Sequence, residues 1–294
     1  MAKWIENENN FAINALLSKA ADTKNIILSS EILFLALKNY PEKFARFLQG
    51  RDYKIICYIR EFADLIESCL NQQIKNHYRV DYSNIDNVAA SFDYYSCLLK
   101  AGNYINDDRF IVKKYASEFF YKGNIYADFM HTLGLELDDS VIYPEKVVNP
   151  SLNREALEFR IILNKSFFAK ENVDLKYRLN GILAKYSVEN HEDSNLKKRY
   201  QLLSPMLKDS ITLKYAKKES ELIAKYFIDS GNSLFNKKQV KYIQYDGLST
   251  EVLSKLLSFI KHHDLKLHKE IIQFTNNELK NNMDRLIILK ALNI

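Results

Sequence analysis

Three side chains stand where chemistry can be done: Glu31, Arg60 and Ser68. Ile26 to Leu28 form a short apolar run leading to Ser29, Ser30 and Glu31. Ile55 to Ile59, with Cys57 and Tyr58 inside, lead to Arg60 and Glu61. Apolar runs of this length suit parallel strands covered on both faces. In open α/β sheets, ligands bind outside the carboxyl ends of the strands, where these polar residues fall. Ser68 lies two turns into the helix that follows Arg60, roughly 12 Å of helix rise away, much of which an extended guanidinium covers. Together they can grip one anion, the arginine through a charge-assisted fork and the serine through its hydroxyl. Glu31 closes the first run with a carboxylate that has the potential to act as a base if burial or neighbours raise its pKa. Each has a plainer reading: Glu31 caps a helix starting at Ser29 or Ser30, and Arg60 pairs with Asp64 one turn on.

The elements that position these residues follow from hydrophobic spacing. Residues 25 to 76 read as strand, helix, strand, helix. In the helix after Arg60, Phe62, Leu65, Ile66, Cys69, Leu70 and Gln73 share one side; Asp64, Ser68, Asn71 and Lys75 share the other, with Lys75 read as solvated. A first amphipathic helix is expected over residues 8 to 22, a loop and helix from Asp81 to Lys100, a strand at 110 to 115, and a helix from Tyr126 closing at Gly134. Pro144 and Pro150 mark a hinge. Helices are expected at about 152 to 170, 173 to 186, 194 to 207 and 217 to 230. Another runs from a Ser249 or Thr250 cap to His262, and residues 264 to 294 carry apolar residues at helical spacing. The fold class is α/β: a parallel sheet of few strands flanked by helices, with a mainly helical C-terminal part.

Composition sets the outer bounds. With 294 residues, 47% hydrophobic and 27% charged, the chain can bury a sizeable core in one large domain or two. A formal charge of +5 admits anionic ligands but lacks the dense basic character of a dedicated nucleic-acid binder. No run of 18 apolar residues occurs, and the N-terminus MAKWIENENN has no apolar signal core, so a transmembrane segment is not expected and the location reads as cytoplasmic. Cys57, Cys69 and Cys97 form no C-x-x-C and read as buried free thiols. His262, His263 and His268 read as surface residues, because their spacing fits no metal-ligand pair, and no metal is expected. Lys197 to Arg199 form a short basic cluster, read as a solvated face or a contact for an acidic polysaccharide.

The phrases IILSSE and YIREFADLIESCLNQQIK resemble the sulfotransferase superfamily, and in particular the sulfotransferase-like proteins of bacterial surface-polysaccharide clusters. The likeness extends through FIVKKYASEFFYKGNIYADFMHTLGLEL at 110 to 137 and NPSLNREALEFRIILN at 149 to 164, and more loosely to about 240. Ala116 and Ser117 stand where the family has an acidic pair. The resemblance implies a sulfotransferase-like P-loop fold and transfer of a sulfuryl group from the donor PAPS to a carbohydrate hydroxyl. Arg60 and Ser68 match the positions that hold the donor's 3′-phosphate, and Glu31 matches the base.

One departure is plain in the residues. The family's Gly-rich phosphate loop is absent, because the seven glycines, at 50, 102, 123, 134, 181, 231 and 247, form no Gly-x-x-Lys-Ser/Thr motif. The backbone N–H groups of such a loop cradle the 5′-phosphosulfate, so half of the donor site is missing. The first strand of the family fold is missing with it: either its neighbours close up, or a partner supplies it, or the chain is truncated. The alternative function is a non-catalytic nucleotide- or glycan-binding partner in polysaccharide assembly. The expected organisation is an α/β core over 1–145, a helical continuation over 146–240 and a helical appendage over 241–294, whose helices would meet a partner or a second copy.

Overall fold

A computed structural model describes residues 26–29, 32–77, 79, 81–135, 150–165, 173–190, 202–227, 233–235, 245–277 and 282–291. In chain order its elements are α1 (Ile32–Asn39), α2 (Pro41–Leu48), β1 (Ile55–Ile59), α3 (Phe62–Asn76), α4 (Ile85–Ser91), α5 (Tyr94–Ala101), β2 (Phe110–Lys114), α6 (Ile125–Thr132), α7 (Arg154–Asn164), α8 (Val173–Glu189), α9 (Pro205–Tyr226), α10 (Thr250–His263), α11 (Leu265–Asn277) and α12 (Asn282–Ala291). The described fold is therefore mostly helical, with a small parallel sheet. Contacts divide the chain into two units, one of Met1–Glu61, Ser91–Leu137 and Leu213–Lys237, the other of Phe62–Ala90, Asp138–Thr212 and Lys238–Ile294.

The first unit holds the sheet. β1 and β2 pair in parallel, with Ile55 opposite Phe110 and Ile59 opposite Lys114, and Tyr115 N–H extends the ladder to the Ile59 carbonyl at 2.6 Å. The strands expected at 55 to 59 and at 110 to 115 are thus formed. The strand expected at Ile26 to Leu28 is not: these residues are irregular and exposed. A strand is held by a neighbour's N–H and C=O groups, and among the described residues none pairs with this run. α1, α2 and α5 pack on one another. Asp93 caps α5, accepting from Ser96 N–H at 3.0 Å and from Lys218 Nζ at 2.6 Å. At the other end of α5, Lys225 Nζ donates to the Gly102 carbonyl at 3.0 Å. A Cβ on Gly102 would meet the far ends of the Lys225 and Tyr226 side chains, which would have to shift to admit it.

The second unit is a helix assembly. α3, α7, α8, α10, α11 and α12 share one apolar cluster that includes Leu157, Phe159, Leu179, Leu183, Leu256, Ile260, Ile271 and Ile288. α10 starts at the Ser249 cap, whose hydroxyl accepts from Val252 N–H at 3.2 Å. Arg178 ties α8 to α11, donating to both oxygens of Asp264 at 2.9 and 2.7 Å and to Glu270 at 3.1 Å.

The carboxyl end of α3 lies inside this unit. A helix leaves its last four carbonyls without intrahelical donors, and burial makes their satisfaction obligatory. The Ile74 carbonyl accepts from Asn164 Nδ2 at 2.9 Å. The Lys75 carbonyl accepts from Arg160 Nη2 at 3.3 Å and Asn180 Nδ2 at 3.2 Å, and the Asn76 carbonyl from Lys176 Nζ at 2.9 Å. The fully buried Arg160 cation and Lys176 also oppose the negative end of the helix dipole. Asn71 holds the entry to α7 by exchanging two bonds with the Leu152 backbone, at 2.9 and 3.2 Å.

This arrangement corrects the reading of Lys75 as a solvated residue. Lys75 is only 4% exposed, and its ammonium donates to the Pro150 carbonyl at 3.2 Å. Burial lowers its pKa. His268 is also buried, against the surface reading, and burial lowers its pKa as well.

The capping network predicts a contrast. Asn164→Ala removes donors to the Ile74 and Arg79 carbonyls, so urea unfolding should show a loss of about 2 to 3 kcal/mol. Lys255→Ala, which breaks an exposed pair with Glu251 on α10, should change stability by less than about 0.5 kcal/mol.

Candidate functional site

Arg60 leaves β1 directly at its carboxyl end. Its own carbonyl accepts from Tyr94 Oη at 2.8 Å, which fixes the backbone there to α5. The side chain is half-buried, and among the described residues no ion pair or hydrogen bond engages the guanidinium. Asp64, the rival partner in the sequence, is instead bound to Lys208 of α9 at 2.9 Å, and Lys208 also meets Glu67 at 3.0 Å. Ser68 is half-buried on α3. Arg60 belongs to the first unit and Ser68 to the second. Glu31 lies outside the described residues, as do Lys197 to Arg199.

A second set of polar residues gathers on the same unit as Arg60, and sequence reasoning passed over it. Tyr58 and Lys113 face each other in register across β1 and β2. Both reach Asp128 on α6: Tyr58 Oη donates to Oδ2 at 2.7 Å, and Lys113 Nζ meets the same oxygen at 2.7 Å. The other oxygen accepts from Tyr121 N–H at 2.8 Å. Lys113 also donates to Thr132 Oγ1 at 2.8 Å, one turn further along α6. Two strand side chains, a loop N–H and its own helix thus surround the carboxylate. The sequence signal was present in a single acid and a threonine four residues apart in IYADFMHT.

Asp128 is 2% exposed. Burial alone would raise its pKa. The bonds from Lys113, Tyr58 and the Tyr121 backbone outweigh that and hold it below the ordinary carboxylate value. Burial first, and then the hydrogen bond to Asp128, push the Tyr58 phenol up, so it remains a donor. The thiols of this unit are no better as nucleophiles, because burial pushes Cys57 up to about 11 and Cys97 to about 12. Among the described residues, no group of three or more His, Cys, Asp or Glu side chains is arranged to hold a metal ion.

A cavity of about 650 Å³ opens elsewhere in this unit, near the amino ends of the strands, where Arg46, Arg51, Arg109, Tyr53 and Tyr104 line it. Arg109 is committed to Asp52 at 3.5 Å, to the Arg51 carbonyl at 3.1 Å and to the Tyr53 ring. This is the opposite end of the strands from Arg60.

PAPS carries two anionic ends. A half-buried arginine whose guanidinium no described residue engages has the chemistry to meet a single phosphate. The phosphosulfate end asks for successive backbone N–H groups from a glycine turn. Among the described residues, no glycine follows either strand directly: Arg60 and Glu61 lead from β1 into α3, and Tyr115 and Ala116 lead from β2 into a 3₁₀ turn at Ser117–Phe119. The described residues offer nothing that fits that end.

The sign of the Asp128 shift gives a test. A carboxyl whose folded pKa lies below its unfolded value stabilises the fold above the unfolded pKa, and that stabilisation disappears as pH falls through the folded one. Asp128→Asn should therefore cost about 2 to 3 kcal/mol at pH 7, and the gap from the parent protein should narrow as denaturation is followed below about pH 4.

No protein-family model matches the chain, and no solved structure matches it. The chain is similar to an uncharacterized protein from Archaeoglobus fulgidus, at 24% identity over 262 residues that cover 85% of this chain and 70% of that protein.

Proposed function

We propose that the chain is a sulfotransferase-like protein that binds a nucleotide 3′-phosphate at Arg60, with Ser68 as the second residue that the sequence resemblance assigns to that phosphate. The observation that carries this reading is the half-buried guanidinium at the carboxyl end of a parallel strand, engaged by no described residue. The sequence resemblance supplies the rest: PAPS as donor, a carbohydrate hydroxyl of a surface polysaccharide as acceptor, and Glu31 as the base that takes its proton. The chemistry of sulfuryl transfer asks for positioning and charge stabilisation more than for a covalent intermediate, as phosphoryl transfer does.

The lack of a described glycine turn after either strand favours a second reading, in which the chain binds nucleotide or glycan without turning over, as a partner in polysaccharide assembly. The nucleotide-binding form of this second reading shares the phosphate site and differs only in chemistry, whereas the glycan-binding form does without it.

Calorimetric titration separates them. Adenosine 3′,5′-bisphosphate should bind at micromolar concentration, and adenosine 5′-phosphosulfate, which lacks the 3′-phosphate, should bind at least tenfold more weakly. Arg60→Ala should weaken the bisphosphate by about 10- to 100-fold and Ser68→Ala by a few fold. Equal affinity for the two nucleotides, or indifference to Arg60→Ala, ends the phosphate assignment. Transfer of labelled sulfate from PAPS to a polysaccharide, lost in Glu31→Gln while bisphosphate binding persists, selects the enzyme; binding with no transfer selects the partner.

A further inference from the structure

Between α2 and β1 the chain turns sharply at a glycine. Gly50 holds φ at +76°, a left-handed conformation that glycine adopts at no steric cost, directly after the Gln49 that closes α2. Arg51 N–H then returns to the Leu48 carbonyl at 3.1 Å. Its side chain follows: Nε donates to the Phe47 carbonyl at 3.2 Å, and the guanidinium lies 5.1 Å from the centre of the Phe47 ring. Arg51 is thereby folded back along the last turn of α2, which carries Arg46. From the segment leading into β2, Arg109 Nη1 reaches the Arg51 carbonyl at 3.1 Å. These links hold three guanidiniums in the lining of one cavity of about 650 Å³, built wholly within the first unit.

The charges of this lining do not cancel. Arg46, Arg51 and Arg109 stand against Glu42 and Asp52. Arg109 meets Asp52 at 3.5 Å and covers the Tyr53 ring, so that pair is taken. Glu42 lies four residues before Arg46 on α2, yet among the described residues no ion pair engages Arg46, and the Nη atoms of Arg51 make no hydrogen bond. Two guanidiniums therefore remain against one carboxylate. A ligand carboxylate offers two oxygens and a single charge, which one guanidinium satisfies. A phosphate monoester offers three terminal oxygens and nearly two charges at neutral pH, which suits two forks. The volume lies in the range of small-molecule sites and far exceeds a bare phosphate. Tyr104 lines the same cavity at 46% exposure, and among the described residues no other ring or cation covers it. It offers an open aromatic face to whatever the phosphate carries.

We propose that the cavity at the amino ends of β1 and β2 binds a phosphate monoester, with Arg46 and Arg51 on the phosphate and Tyr104 against its organic part. This site is separate from the one assigned to Arg60, at the opposite end of the strands. It uses neither Arg60 nor Ser68, and it stands whether or not the chain meets PAPS.

The test titrates the full chain by calorimetry with glucose 6-phosphate, adenosine 5′-monophosphate and inorganic phosphate. At least one ester should bind, with inorganic phosphate about tenfold weaker because it leaves most of the cavity unfilled. Arg46→Gln together with Arg51→Gln should weaken that ester at least about tenfold and flatten the fall of its affinity with salt. Arg60→Ala should leave it unchanged while altering the response to adenosine 3′,5′-bisphosphate. Tyr104→Ala should weaken the ester by a few fold. Preference for the adenosine ester identifies a nucleotide as the occupant, and preference for the glucose ester a phosphorylated sugar. Absence of binding to both esters, inorganic phosphate bound as tightly as either, or an Arg46→Gln, Arg51→Gln protein with parental affinity would overturn the site. A doubly substituted protein whose circular dichroism spectrum shows unfolding is replaced by Arg46→Gln alone, read by the same criteria.

Discussion

The carboxyl end of α3 comes to a stop inside the second unit, and much else there is arranged to tolerate it. Peptide carbonyls cannot be buried bare, so α7 must bring Arg160 and Asn164, and α8 must bring Lys176 and Asn180, to within hydrogen-bond distance. Those four side chains set the register of two helices against a third. The leucines and isoleucines around them supply most of the burial energy, but apolar contact alone has no direction and would accept several rotations of the same helices. The polar caps accept one.

This explains where the sequence was legible and where it was not. β1 and β2 announced themselves, because a β-branched run such as Ile55–Ile59 has few other uses, and α10 announced its start through Ser249. Lys75 was opaque. On a helical wheel it belongs with Asp64 and Ser68 on a polar side, yet the Pro150 carbonyl lies close enough to receive it. A lysine satisfied by a backbone group distant in sequence looks, in one dimension, like any solvated lysine. Ile26 to Leu28 failed in the opposite sense. Their composition favours a strand, but no described neighbour offers a ladder, and composition cannot provide one.

The two cationic settings of the first unit show the same logic at the candidate site. Lys113 and Arg60 both belong to the carboxyl half of the strand pair. Lys113 is answered by Asp128, a carboxylate that lies on the helix covering that face, so its charge is spent on holding β1, β2 and α6 together. Arg60 is answered by no described group. A sequence shows both as basic residues at the end of an apolar run. Only the position of Asp128, 15 residues past one and 68 past the other, separates a cation paired inside the fold from one that no described carboxylate meets.

The strand pair has a final consequence for how the chain can be handled. Ile55 meets Phe110 across the ladder, and the polypeptide between them leaves the first unit at Phe62 and returns to it at Ser91. Excising either unit as one continuous piece would sever three segments that belong together. Such topology raises the mean sequence separation of native contacts, which slows assembly, and it means that the sheet completes only after chain from both units has been synthesised. Fragments cut at conventional linker positions would be poor substitutes for the intact polypeptide.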